Sequence, residues 1–116
     1  MKVFVDIEIM TKTSEEFMAT LEISVISKRS KVRKKFYKSD YIKTADTMEE
    51  AVDNFCKFLL SEYFILTKKN SDKQIFYVIK CSQKIYNMMK GNGWLDQLYA
   101  NLGNPEQFHY ENMEEN

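Results

Sequence analysis

Residues 3–10 alternate without a break. Val3, Val5, Ile7 and Ile9 point one way, and Phe4, Asp6, Glu8 and Met10 point the other. A period of two belongs to a strand with one dry face, because successive side chains leave a pleated backbone on opposite sides. Residues 17–26 repeat the pattern, with Phe17, Ala19, Leu21, Ile23 and Val25 on one face. Thr11 to Glu16 between them is short and polar, so the two segments predict a hairpin. The pairing of charges suggests its register. With Ile9 opposite Phe17, Asp6 meets Thr20. A two-residue shift would set Asp6 against Glu22, a like-charge pair that costs stability.

A basic stretch turns the chain after the hairpin, and a third strand follows over roughly 34–43. One face of that strand carries Phe36 and Ile42. The other carries Lys35, Tyr37, Ser39, Tyr41 and Lys43. Thr47-Met-Glu-Glu50 is a capping box, in which the threonine hydroxyl and the Glu50 side chain each satisfy an orphan amide. Met48, Ala51, Val52, Phe55, Leu59, Tyr63 and Leu66 recur at helical steps behind it, with an expected end near Thr67 beside Lys68 and Lys69.

Two readings compete over residues 72–90. Ile75 to Ile79 has strand composition. Yet Ser71-Asp-Lys-Gln74 is a second capping box, and Ile75, Val78, Ile79, Ile85, Tyr86 and Met89 fit one helical stripe broken by Ser82. The helix is preferred, with a strand over 74–80 as the alternative. Gly91-Asn-Gly93 stops that segment. Trp94 to Leu102 is a last short helix with Gly103 after it. The expected fold is therefore α+β: a three-stranded antiparallel sheet followed by two or three helices packed on its odd-numbered face. Residues 1–103 form one domain in this reading, and 104–116 an acidic, flexible tail.

At 116 residues the chain is long enough for one core without staples. Lys plus Arg balance Asp plus Glu at 17 each, but unevenly. Residues 28–38 hold Lys28, Arg29, Lys31, Arg33, Lys34, Lys35 and Lys38 with no acid. The segment after Pro105 holds Glu106, Glu111, Glu114 and Glu115 with no Lys or Arg. Segregation of this kind concerns partners and not fold. Cys56 and Cys81 lack the spacing of a zinc site and read as small buried hydrophobes. The single histidine, His109, falls in the expected tail, and no glycine-rich phosphate loop is present. No apolar run reaches membrane-spanning length, and no signal-peptide layout opens the chain, so a cytoplasmic location is expected.

Val5-Asp6-Ile7-Glu8 resembles the first motif of the DEDD exonucleases, where an Asp and a Glu two residues apart on strand one hold two metal ions. With 74–80 read as a strand, the order β-β-β-α-β-α also resembles the start of the ribonuclease-H-like fold. The chain departs from that pattern at two places. Ile9 and Met10 follow where the family has Thr and Gly, and Lys80 and Cys81 stand where its next carboxylate lies. Two-metal hydrolysis needs several converging carboxylates. The expectation is no enzyme, no metal and no cofactor, with Asp6 and Glu8 as a solvated strand face.

What remains is binding. The expected partner is a protein. The chain reads as a small accessory or inhibitor protein of a phage or mobile element that docks on a host protein such as a defence nuclease. The docking residues would be Lys28, Arg29, Lys31, Arg33, Lys34, Lys35, Tyr37, Lys38 and Tyr41. Two alternatives stand beside this. One is a nucleic-acid module in which those lysines hold phosphates and Tyr37 and Tyr41 stack on bases. The other is a degenerate ribonuclease-H-like fold.

Overall fold

The structure is a computed structural model that describes residues 2–11, 13, 16–27, 29, 31–44, 46–62 and 74–113. Its strands are β1 (Lys2–Thr11), β2 (Glu16–Ile26), β3 (Arg33–Thr44), β4 (Gln74–Cys81) and β5 (Phe108–Asn112). Its helices are α1 (Met48–Ser61), α2 (Gln83–Gly91) and α3 (Trp94–Leu102), and a 3₁₀ turn at Pro105–Gln107 precedes β5. Among the described residues the fold is α+β, with three helices and a mixed sheet.

Among the described residues the sheet has five strands in the order β3-β2-β1-β4-β5. The expected antiparallel triplet is there, since β2 pairs antiparallel with both β1 and β3. Two parallel strands extend it: β4 beside β1, and β5 beside β4. A parallel neighbour needs a crossover connection. The α2–α3 pair is the crossover between β4 and β5. The alternation along β1, β2 and β4 sends Val5, Ile7, Leu21, Ile23, Tyr77 and Ile79 into one core with Val52, Phe55 and Leu59 of α1, Met89 of α2 and Leu98 of α3. All three helices therefore cover the same sheet face. The even-numbered residues of β1, β2 and β4 lie on the other face.

Four expectations need correction. The preferred helix over 72–90 is instead a strand and a helix. Ser82 does not interrupt a stripe. It caps α2, its hydroxyl accepting from the Ile85 amide at 3.3 Å. The competing box at Ser71 lies outside the described residues, as do the expected end of α1 near Thr67 and the stripe residues Tyr63 and Leu66.

The β1–β2 register is the one rejected on charge. Asp6 faces Glu22 and Ile9 faces Ala19. The like-charge cost is offset from the neighbouring strands: Arg33 and Lys80 pair with Asp6, and Lys35 pairs with Glu22 at 3.2 Å.

The face assignment of β3 changes at a bulge. Ile23 pairs with Tyr37, but Ser24 pairs with Lys35, which leaves Phe36 as an extra residue. An extra residue inverts the alternation beyond it. Lys35 therefore shares the uncovered face with Lys38 and Asp40, whereas Tyr37 and Tyr41 turn to the helix side.

Residues 105–112 are not a tail but the turn and edge strand. Aromatic contacts fasten β5 to the helix-covered side. Phe108 stacks on Tyr77 with ring centres 4.4 Å apart and meets Tyr99 edge-on. Tyr110 stacks on Tyr86 at 4.0 Å. The expectation missed this because a five-residue parallel edge strand has too little period to read.

Candidate functional site

The uncovered face of the sheet concentrates the charged side chains. A depression there is lined by Asp6 and Glu8 of β1, Thr20, Glu22 and Ser24 of β2, Arg33 and Lys35 of β3, and Lys80 of β4. Strand register brings these together. Asp6 has Glu22 on one side and Val78 on the other, and Glu8 lies between Thr20 and Lys80.

The electrostatics centre on Asp6. The Arg33 guanidinium donates to its Oδ2, and the Lys80 ammonium lies 3.8 Å from Oδ1. Arg33 also donates through Nε to the hydroxyl of Ser24, the one polar side chain among the described residues that is buried outright. The Asp6 side chain is only 15% exposed, so both positive partners act where water screens them little. Further along, Thr20 donates to Asp40 at 3.0 Å and Lys38 approaches Asp40 at 4.0 Å. Glu8 has no ion pair among the described residues.

At one end of the depression the face becomes aromatic. Phe4 of β1 lies opposite Phe76 of β4 in the parallel ladder, and their rings stack with centres 5.5 Å apart and planes 23° apart. The Arg33 guanidinium carbon lies over the Phe4 ring, 4.7 Å from its centre. Arg33, Phe4 and Phe76 thus form a contact series running across three strands. The signal for Phe4 was present in the alternation of β1. Phe76 was hidden by the helical reading of 72–90.

The motif residues divide as follows. Asp6 and Glu8 share the uncovered face. The carboxylates of α1 do not join them, because α1 lies across the sheet. There Asp53 accepts from the Trp94 indole at 2.6 Å. Among the described residues no three His, Cys, Asp or Glu side chains converge as a metal site would need. Arg33 and Lys80 contact Asp6, the residue to which the resemblance to the DEDD exonucleases gives a metal-holding role.

Of the nine expected docking residues, Lys28 lies outside the described residues. Arg29, Lys31 and Lys34 are exposed around the β2–β3 connection. Arg33, Lys35 and Lys38 are on the uncovered face in the pairs just given. The two tyrosines are separated from them. The Tyr37 hydroxyl donates to Glu62 at 2.9 Å, and Tyr41 stacks on Phe58 at 5.0 Å and meets Phe55 edge-on. A nucleic-acid surface built from those tyrosines and the β3 lysines therefore does not assemble on one face. His109 is exposed on β5. Cys56 and Cys81 are buried and unbridged, as expected of small hydrophobes, and burial pushes both thiols up to about 12. No helix among the described residues is long and apolar enough to cross a membrane.

No family model matches the sequence, and no curated protein matches it. Among solved structures, the crystal structure of the Aquifex aeolicus member of the Ppx/GppA protein family is similar to this chain. The TM-score is 0.51 at 13% identity, over 97% of this chain and 35% of that one. The chain thus spans about a third of that protein's length. At this identity the likeness concerns the fold. It runs against the expectation of a small accessory or inhibitor protein docking on a host protein, because the fold it matches is that of part of a longer member of the Ppx/GppA family.

Proposed function

We propose that this chain is a ribonuclease-H-like domain whose uncovered sheet face is a binding surface and not a two-metal hydrolytic centre. The order β-β-β-α-β-α and the parallel β1–β4 pair support the fold half of this reading.

One observation carries the other half. Asp6, the carboxylate at the position of the first metal ligand in the DEDD motif, is clasped by Arg33 and Lys80. A divalent ion would have to displace two cations from a carboxylate that is largely withdrawn from water. It would then find only Glu8 as a further acidic ligand on β1, with Glu22 engaged by Lys35. Two-metal catalysis draws its power from several carboxylates that fix both ions about 4 Å apart. Ion pairs across neighbouring strands do a different job. They hold the middle of the face rigid and leave one end of it, with the Phe4–Phe76 pair and the basic β2–β3 connection, as the part able to receive a ligand.

The test uses the full chain with Mg²⁺ or Mn²⁺ and labelled single- and double-stranded DNA and RNA. The expected result is no cleavage, and no Mn²⁺ binding that is sensitive to Asp6→Asn. Cleavage that disappears in Asp6→Asn would refute this reading.

A further inference from the structure

We infer that the Phe4–Phe76 end of the uncovered face binds single-stranded RNA, with a base stacking on Phe76 and phosphates held by the cations around it. This rests on the reading of that face as a binding surface. It involves β1 and β4 and not the tyrosines of β3.

The first support is the rings themselves. Phe4 and Phe76 are side by side on the central strand β1 and its neighbour β4, and both are only partly buried. The helices among the described residues cover the opposite face, and none of them lies over this one. Aromatic side chains on the central strands of a sheet with one open face are the platform on which single-stranded RNA is commonly stacked. The packing needs of the core do not explain them, since the core lies on the other side of the sheet.

The second support is the asymmetry of the stack. Phe4 has Arg33 over its ring and Phe76 beside it. Phe76 has Phe4 as its ring partner, and among the described residues no other ring or guanidinium contacts it. A base added to Phe76 would extend the series Arg33–Phe4–Phe76 by one member. Stacking tolerates any base, because each has a π-face.

The third support is charge. Lys2 shares this face two residues before Phe4, and it is exposed. Lys35 pairs with Ser24, the direct neighbour of Phe4 on β2. The exposed Arg29 and Lys31 belong to the connection at the same end of the sheet, because Ile26 and Arg33 are its flanking pair. Cations gathered at the aromatic end suit a phosphate backbone. Acids gathered further along β1 and β2 limit how far a strand can run, so the footprint is a few nucleotides and the affinity modest.

Those acids also favour RNA over DNA. Glu8, without an ion pair among the described residues, lies four residues beyond Phe4, about 13 Å along the strand. Thr20 is its direct partner on β2. A carboxylate there repels phosphate but accepts from a ribose 2′-hydroxyl, the group that distinguishes RNA.

The experiment is fluorescence anisotropy of the full chain with labelled eight-nucleotide RNA and DNA of one sequence, in low and physiological salt. Single-stranded RNA is expected to bind at low salt and weaken as salt rises. Phe76→Leu keeps apolar bulk but removes the ring, and it is expected to lower affinity about tenfold. Phe76→Tyr is expected to retain binding. A thermal melt of each variant checks that the fold is intact. The inference is overturned by absent RNA binding at low salt, by binding unchanged in Phe76→Leu, or by DNA binding as tightly as RNA. None of those results touches the absence of hydrolysis, which the cleavage assay reads separately.

Discussion

Asp6 and Glu22 stand directly opposite each other on β1 and β2, two acids in one cross-strand pair, and the cations that make this tolerable come from β3 and β4. The pair therefore depends on strands brought in from far along the chain. Arg33 is 27 residues from Asp6 and Lys80 is further still. A local hairpin of residues 1–26 has no such compensation, and its charge pattern alone would slide it by two residues. The hydrophobic faces do not resist that slide, because a shift of two preserves the alternation. The surrounding sheet fixes the register.

This makes Arg33 a structural residue. Arg33→Ala leaves Asp6 facing Glu22 with Lys80 as its remaining partner. The Arg33 side chain is 44% exposed, so solvent screening limits the loss to about 1 kcal/mol. The double variant Asp6→Asn with Arg33→Ala should lose less than the sum of the two single changes, since removing the acid removes the repulsion. Urea unfolding of the four proteins at low salt measures this coupling. Strict additivity would show that the two residues do not act together.

Ser82 tests the division of 74–91 into strand and helix. Its hydroxyl accepts from the Ile85 amide at the start of α2. Ser82→Ala should cost about 1 kcal/mol, the usual effect of losing an N-cap, and Ser82→Asp should restore most of it. A continuous helix through this position would instead gain from alanine. The sign of the change in melting temperature separates the two.

Gly103 follows α3 where a helix-ending glycine was expected, but its role is a different one. Its backbone is extended, with φ of 166°, and any residue could adopt that conformation. Space is what restricts it. An added Cβ would lie 2.7 Å from Gln107 Oε1 and 3.3 Å from the Tyr77 ring. Gln107 is committed at both ends of its amide, accepting from the Asn104 amide at 2.8 Å and donating to the Ile75 carbonyl at 3.1 Å. Gly103→Ala should displace that side chain and loosen the turn that leads into β5. Hydrogen exchange should quicken in 104–112 and stay unchanged in β1 and β2. Uniform destabilisation of the sheet would argue against this local account.

Much of the fold was legible where one period ran long enough. β1, β2 and α1 each have ten or more residues facing one way or the other, and all three were read correctly in kind. What stayed hidden had a specific cause. In 74–91, β-branched and aromatic residues occur at spacings that satisfy both periods, so Ser82 could be taken as a flaw in a stripe as easily as a cap. In β3 one extra residue, Phe36, exchanged the faces of everything after it, and no local signal announces a bulge. That single slip separated Tyr37 and Tyr41 from Lys35. The site suffered twice, because the rings that do share a face with Arg33 come from two strands 72 residues apart in sequence, Phe4 and Phe76, and one of those strands had been read as helix.

The buried thiols give the last prediction. Burial pushes Cys56 and Cys81 from an ordinary value of 9.0 up to about 12, with Asp53 adding to the rise at Cys56, and burial likewise pushes Tyr77 from 10.0 to about 12. Each group is neutral in its acid form, and the folded state holds that form more tightly than the unfolded state does. The stability this contributes is fully present below the unfolded pKa values near 9 to 10. It is lost as pH rises from there towards 12, because the unfolded chain releases protons that the folded chain retains. The protein should therefore be insensitive to pH between 7 and 8.5 on account of these groups and lose stability above about 9. Cys56→Ala and Cys81→Ala will each lower stability at neutral pH through lost packing, yet each should make the alkaline decline shallower than in the parent. In the same window a thiol reagent at pH 8 should label neither cysteine in the folded protein and both in urea. Rapid labelling without denaturant, or an alkaline decline as steep in both variants as in the parent, would mean that these thiols are not held neutral by burial.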